Sequence, residues 1–427
     1  MDELVNFIIR PPRRNYKSWE LGSTLFSLDD GNLYKRVDFQ VKNKRNLNIE
    51  CSQYYRVKHR KKMPVVIYCH GNSGSRLDVQ DNLPHLLKME LSVVAFDFSG
   101  SGNSEGEYVS LGYFEQNDLE AVVEHLRKND QTTRIGLWGR SMGAATSLMF
   151  GVSDPSVACM VLDSPFSSLK VLANELVTKN EVKIPKMVVT AAFKMLKKNI
   201  DKKAHFDIEK LEPIKSAPKC FIPALFAHAE HDDFIDPSHS KNLSAKYAGD
   251  YNIVIFPDED QDHTSHRPSF FYDSVCIFFE NNLNIKADFG EDNPYVEDEV
   301  TAEDLASIAE RGAPKKRVYE SEYEKALKMS MLEAYTTSPQ SQQEEDELIQ
   351  MAIKMSLGET QEAKPAESKG DSQKSTATAS PSATSKGDSK TDKKNEKVKG
   401  EEDKKKDKDK KKDKDKKKDP EDKKKKK

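Results

Sequence analysis

Hydrophobic positions in the first two-thirds of the chain follow two rhythms. Residues 37–41 and 48–51 alternate apolar and polar side chains, with the polar stretch 42–46 between them, and this predicts a pair of antiparallel strands. Residues 64–69 and 91–98 are largely unbroken apolar runs, the pattern of strands buried on both faces. Leu119, Val122, Val123 and Leu126 recur at helical spacing. A further apolar stretch at 135–138 leads directly into the helix-forming stretch 144–150, and strands at 221–227 and 253–256 close the series. Between 166 and 217 the rhythm breaks into two helical stretches, 171–178 and 186–198. These read either as a lid or as helices packed on the rim of the sheet. Strands alternating with helices predict an α/β class, with a mostly parallel central sheet covered on both faces.

The picture changes after about residue 285. Residues 286–314 are acidic at the start and poor in apolar positions, which predicts a linker. Residues 315–360 carry two helical patterns, about 318–334 and 343–359. Residues 361–427 are low in complexity, first Ser/Thr/Ala-rich and then blocks of Lys and Asp, which predicts disorder because nothing there can form a core. The chain is 36% hydrophobic and 33% charged, but the charge is concentrated in that last third. The remaining stretch of about 285 residues is ample for one large domain. Residues 401–427 hold 16 Lys and 10 acidic residues, a net +6 against −3 for the whole chain, so the rest carries −9. The interspersed Asp residues argue for a solvated tail, so no nucleic-acid partner is expected and membrane contact would be peripheral at most. The N-terminus lacks the apolar core of a signal peptide, and no run reaches transmembrane length. Five dispersed cysteines suit reduced thiols, and together these features predict a cytoplasmic protein.

The chemistry concentrates at Gly139-Arg140-Ser141-Met142-Gly143. An apolar strand runs into this turn and a helix leaves it. Such a strand–turn–helix forces the serine into a strained backbone position, and the two glycines remove Cβ atoms that would collide there. Ser141 is therefore the candidate nucleophile. A nucleophilic serine needs a base, and the base needs an acid to orient it. The strand at 221–227 runs into Asp232 and Asp233, and the strand at 253–256 runs into Asp262 and His263. The assignment is Asp232 as acid and His263 as general base. Asp233, Asp163 at the end of the strand in VACMVLDSPF, and His266 remain as alternatives. The loop His70-Gly71-Asn72-Ser73-Gly74 follows the strand at 64–69, and its Asn72 amide, with the Met142 amide, is the expected pair of oxyanion donors. His70 reads as structural. No metal-ligand spacing stands out, and no cofactor is expected; His228, His231 and His239 fall in the acid loop.

These motifs carry a resemblance. VNFIIRPPR, YCHGNSGSR, DFSGSGNSEG, GLWGRSMGA, LDSPFSSL and FYDSVCIFF are similar to segments of the α/β-hydrolase superfamily, in its branch of bem46 and serine aminopeptidase-like proteins. The resemblance covers residues 4–284. It implies an α/β-hydrolase fold over residues 1–285 and esterase or thioesterase chemistry on an acyl substrate, such as an acylated protein; related mammalian members remove fatty-acyl groups from protein cysteines. A peptidase and a hydrolase-fold adaptor without turnover are the competing implications. It also explains the glycine pair in Ser99-Gly100-Ser101-Gly102 as a bend at the sheet edge rather than a phosphate cradle. Two positions depart from the family pattern. Gln261 stands where a glycine usually precedes the histidine, and Ala229 where one follows the strand leading to the acid.

The two C-terminal helical patterns repeat one another. Each has an acidic start, an apolar residue, an Ala, a Ser four positions on and a closing acid: Tyr323, Ala326 and Ser330 in the first, Ile349, Ala352 and Ser356 in the second. Residues four apart share a helix face. Both copies resemble the ubiquitin-interacting motif, with a small Ala that permits close approach to a shallow apolar patch and carboxylates that suit basic surroundings. The resemblance implies ubiquitin or ubiquitinated proteins as partners. Pro339 between the copies predicts two separate helices.

Overall fold

The computed structural model describes residues 2–179, 186–257, 263, 266–288 and 292–304. The strands in chain order are β1 Leu25–Ser27, β2 Leu33–Lys42, β3 Asn48–Arg56, β4 Lys58–Arg60, β5 Met63–Cys69, β6 Ser92–Phe96, β7 Thr132–Arg140, β8 Cys159–Asp163, β9 Ala224–Ala229, β10 Tyr251–Phe256 and β11 Tyr295–Glu297. The helices are α1 Asp2–Ile9, α2 Leu83–Leu86, α3 Glu115–Arg127, α4 Met142–Ser153, α5 Leu169–Lys179, α6 Lys186–Ala204, α7 Ser238–Ala245 and α8 Ser269–Leu283. Nine strands form one sheet in the order β1-β2-β3-β6-β5-β7-β8-β9-β10. Pairing is antiparallel from β1 through β3 to β6 and parallel from β6 to β10.

The apolar runs explain this architecture. Every residue of β5, β6, β8 and β9 is buried, as strands covered on both faces must be. Successive side chains of a strand point to opposite faces. Thus Val65, Ile67 and Cys69 of β5 enter one core, while Val66 and Tyr68 enter the other. The first core holds α3 and α4, the second α2 and α8. The antiparallel pair β2–β3 sits at the open side of the sheet and extends beyond its predicted limits. Its turn is fixed by Asn43, whose Oδ1 accepts from the amides of Arg45 and Leu47.

Several expectations shift in detail. The strand read at 221–227 begins instead at Ala224, because Phe221 is 70% exposed and Pro223 cannot donate to a ladder. In α5, Leu169, Leu172, Ala173 and Leu176 are buried, as are Phe193, Leu196 and Ile200 of α6. Both helices thus contribute to the first core, as rim-packed helices do. The apolar N-terminal residues Val5, Ile8 and Ile9 form the buried stripe of α1, which packs on α6. The bend after β6 lies at the end of an interior strand, not at the sheet edge. It wraps the buried Asp97, whose carboxylate accepts from the amides of Arg76 and Asn103. Gly102 has φ of +48°, and a Cβ there would lie 2.3 Å from the Asp97 carboxyl carbon.

Part of the expected linker is docked. β11 pairs antiparallel with β4, Asn293 exchanges two side-chain hydrogen bonds with the backbone of Lys62, and the Asp298 amide donates to Val57 O. Tyr55 donates to Asp298 at 2.7 Å, and Lys35 pairs with Asp304 at 3.0 Å. A polar segment can be held by hydrogen bonds without apolar burial, and apolar pattern alone does not register that. Residues 305–427, including both helical patterns and the Lys/Asp tail, lie outside the described residues.

Candidate active site

Ser141 stands between the last residue of β7 and the first of α4. Its φ of +53° and ψ of −115° lie in the left-handed half of conformational space, which costs a non-glycine residue on the order of 1–3 kcal/mol. The surroundings over-determine it. Its amide donates to Asp163 O at 2.8 Å, and its carbonyl accepts from the Ala145 amide at 3.0 Å. The turn is as tight as the two glycines predicted. A Cβ on Gly139 would sit 2.4 Å from the Gly143 carbonyl, and one on Gly143 would sit 2.0 Å from Cys69 O. Neither neighbour is a movable side-chain tip, so α4 or β5 would have to shift. Gly143→Ala is accordingly expected to lose about 3 kcal/mol of stability in a denaturant titration; an unchanged midpoint would show that the elbow has room to spare.

The imidazole of His263 bridges two groups. Nε2 lies 3.0 Å from Ser141 Oγ and Nδ1 lies 2.8 Å from Asp232 Oδ2. His263 and Asp232 are both buried. The acid is held from every side. Asp232 Oδ1 accepts from the amides of Phe234 and Ile235 at 2.9 and 2.7 Å. Oδ2 is also 3.2 Å from His228 Nε2. That second histidine is oriented by the Ile235 carbonyl on Nε2 and the Ser240 hydroxyl on Nδ1. Burial pushes the Asp232 carboxyl up, but the charge of His263 and hydrogen bonds from His228 and His263 outweigh it, so Asp232 stays well below the usual carboxylate range. An ionised acid on Nδ1 leaves Nε2 free to accept the serine proton.

The alternatives fall elsewhere. Asp233 is exposed. The His266 side chain is 72% exposed and 3.3 Å from Asp81. Asp163 is turned to Arg267, which donates to its carboxylate at 2.8 Å through Nη2 and 3.0 Å through Nε. Of the two departures from the family pattern, Ala229 ends β9 with its methyl in the second core, and the loop beyond it still delivers Asp232 to His263. Gln261 and Asp262 lie outside the described residues.

The loop after β5 comes up against the nucleophile. A Cβ on Gly71 would be 3.6 Å from Ser141 Cβ, so the residue before Asn72 packs directly against the serine, and Met142 follows the serine in the chain. His70 is tied down at both nitrogens, Nε2 accepting from the Phe98 amide at 3.0 Å and Nδ1 donating to Gly71 O at 2.6 Å. That is the structural role expected of it. Sequence reasoning missed His228, Arg140 and Arg267 as neighbours of the site. His228 stood in a visible histidine cluster, but nothing in the spacing marked which ring would reach Asp232. Among the described residues, no group of three His, Cys, Asp or Glu side chains could hold a metal ion, and no helix is long and apolar enough to cross a membrane. Cys51, Cys69, Cys159 and Cys220 are buried thiols, and burial pushes that of Cys69 up to about 12. The ubiquitin-motif residues Tyr323, Ala326, Ser330, Ile349, Ala352 and Ser356 lie outside the described residues.

The chain is similar to several known proteins. Residues 60–212 match the family described as serine aminopeptidase, S33. That stretch spans β5 through α6, including the elbow. The uncharacterized protein YqkD of Bacillus subtilis is 26% identical over 223 residues, 51% of this chain and 72% of its own length. The lysophosphatidylserine lipase ABHD12 of Danio rerio is 28% identical over 127 residues, 28% of this chain and 32% of its own length. Among solved structures, the Pyrococcus furiosus esterase Pf2001 superposes with a TM-score of 0.49 and 20% identity, covering 65% of this chain and 98% of the esterase. The chain carries an α/β-hydrolase fold, with a mostly parallel central sheet between two layers of helices.

Proposed function

We propose that this protein is a serine hydrolase that cleaves acyl esters or thioesters through an acyl-enzyme, and that its C-terminal helices bind ubiquitin. The observation that carries the first part is the hydrogen-bonded line Ser141–His263–Asp232, set on a strained elbow. In the proposed reaction Ser141 Oγ attacks the acyl carbonyl as His263 Nε2 takes its proton. Asp232 fixes the Nδ1–H tautomer and stabilises the imidazolium. The Asn72 and Met142 amides hold the oxyanion. His263 then protonates the departing alcohol or thiol. Water, deprotonated by the same histidine, releases the acid.

The substrate class is an acyl compound, with an acylated protein included. Similarity to a relative named as a lysophosphatidylserine lipase is the reason to include lysophospholipid esters in the screen. The serine aminopeptidase description of residues 60–212 favours a second reading, peptide hydrolysis on the same serine. The test is to treat the full chain with a fluorophosphonate probe, then to assay acyl esters, acyl thioesters and aminoacyl amides in parallel. Labelling with ester or thioester turnover supports the proposal. Turnover of amides alone selects the peptidase. A folded protein that never labels leaves the adaptor reading.

The ubiquitin part rests on the repeated Ala and Ser positions. Each helix offers a small apolar stripe, so single ubiquitin should bind weakly, and a ubiquitin chain more tightly through raised effective concentration, by about 10²-fold if both helices engage. The informative variant is Ala326→Gln with Ala352→Gln in the full chain. Glutamine keeps helix propensity and fills the space needed for close approach. Binding of labelled ubiquitin chains is expected to fall to that of an unrelated protein. Binding equal to the unaltered chain would sink the motif reading.

A further inference from the structure

The mechanism above needs an imidazole held in place, yet His263 lies between β10 and α8, outside any strand or helix. We propose that Arg140 and Arg267, anchored on Asp163, are the positioning residues that hold the His263 ring against Ser141; this rests on the hydrolase reading of that site.

Asp163 is the hub. It ends β8 directly beside the end of β7, in register with Arg140. Its carbonyl accepts the Ser141 amide at 2.8 Å, so its main chain already fixes the nucleophile. Its carboxylate, with only 2% of the side chain exposed, takes the fork of Arg267 at 2.8 and 3.0 Å. Arg267 follows His263 by four residues, is equally buried, and lies over the Phe256 ring at 5.4 Å. Its Nη2 also donates to Ser164 Oγ at 2.9 Å. The histidine segment is thus pinned on its C-terminal side.

Arg140 pins the histidine itself. It occupies the position immediately before the nucleophile. Its Nη2 donates to the main-chain oxygen of His263 at 2.8 Å, while its Nε lies 3.8 Å from Asp163. A guanidinium is suited to this because its rigid fork reaches two acceptors at once. Asp163 therefore connects, through its own backbone and through Arg140, to the main chain of both reacting residues. Two arginines on one carboxylate also explain the use of the His263 carbonyl, which accepts the donor the carboxylate does not. A displacement of about 1 Å between base and nucleophile costs on the order of 10²-fold in rate.

The test uses the full chain with Arg140→Met and Arg140→Lys. Arg140 is the partly exposed member of the cluster, so its loss leaves the buried Asp163–Arg267 pair intact. With an ester substrate, Arg140→Met is expected to lower kcat by about 10²-fold with KM and melting temperature little changed. Arg140→Lys, which keeps one donor, should recover part of the loss. In parallel, the low-field proton resonance of the His263 Nδ1–H···Asp232 bond should be present in the unaltered chain, lost or broadened in Arg140→Met, and retained in Arg140→Lys. Unchanged kcat, or an unshifted resonance in Arg140→Met, overturns the proposal. A wild type that neither labels nor turns over substrate would instead remove the hydrolase reading, and the resonance would still decide whether Arg140 positions the ring.

Discussion

Ser141→Ala is expected to abolish fluorophosphonate labelling and to lower turnover of any acyl substrate by on the order of 10⁴-fold or more, without loss of fold. The size of the effect follows from what the hydroxyl does. In the proposed reaction its oxygen is the atom that forms the acyl bond, and of the described neighbours Ser164 is committed to Arg267 while the buried Cys69 thiol is pushed far toward its protonated form. The fold should persist because the backbone bonds that hold the elbow, Ser141 N to Asp163 O and Ala145 N to Ser141 O, do not involve the side chain. Alanine also inherits the same positive φ, so the strain is unchanged. The residual rate left by the oxyanion amides should be measurable with an activated ester. Stoichiometric labelling of Ser141→Ala, or equal turnover, would place the nucleophile elsewhere and end the triad proposal.

Asp232→Asn should be nearly as damaging, by about 10³- to 10⁴-fold in kcat, while Asp163→Asn should show itself chiefly as lost stability. The geometry forces the tautomer in the first case. Two amides, Phe234 and Ile235, point at Oδ1, so the asparagine oxygen must face them. Its NH2 then faces His263 Nδ1, which has to become an acceptor, and the proton moves to Nε2. An Nε2–H cannot take the serine proton. In Asp163→Asn the buried Arg267 guanidinium, and with it the partly exposed Arg140, loses its counter-charge instead, which costs about 3–5 kcal/mol. The pH dependence separates the two roles further. Burial pushes the Asp163 carboxyl up, but Arg267 and Arg140 outweigh it and hold it below its ordinary value. A depressed folded pKa adds stability that is complete above the unfolded value of about 4 and lost as pH falls through the folded one. Denaturation midpoints should therefore fall on acidification below about pH 4 in the unaltered chain, and less steeply in Asp163→Asn. If Asp163→Asn is the variant that melts normally and loses turnover, while Asp232→Asn is active, the acid has been assigned to the wrong carboxylate.

The elbow was the most readable part of the chain, and the reason is steric. Gly139 and Gly143 are visible in sequence because only glycine permits the approach of α4 to β7 and β5, and the structure shows backbone atoms where their Cβ atoms would stand. The order of Ser141, Asp232 and His263 was equally visible, since each follows an apolar run. What could not be read was which of several carboxylates would face the imidazole. Asp163, Asp232 and Asp233 all follow strands, and they are distinguished by Arg267 and Arg140, by the Phe234 and Ile235 amides, and by exposure respectively. Those partners come from elsewhere in the fold or from loop conformations that no periodicity encodes. The docked segment 292–304 was missed for a related cause. It is held by pairing with β4 and by polar contacts to Lys35, Tyr55 and Lys62, not by an apolar stripe.

By itself the sequence determined the fold class and the position of the strained serine. Those properties are set by local rules: apolar runs that must be buried on two faces, and glycines where a Cβ would collide. Only the tertiary structure decided the rest. It set Asp232, and neither Asp163 nor Asp233, against the His263 ring, brought His228 onto the same carboxylate, and joined Arg140, Arg267 and Asp163 beside His263. These are contacts between residues up to 123 positions apart, made by side chains whose types are compatible with many surroundings. Their partners are selected by where the sheet order sets each strand end, and that order is a property of the whole core and not of any one segment.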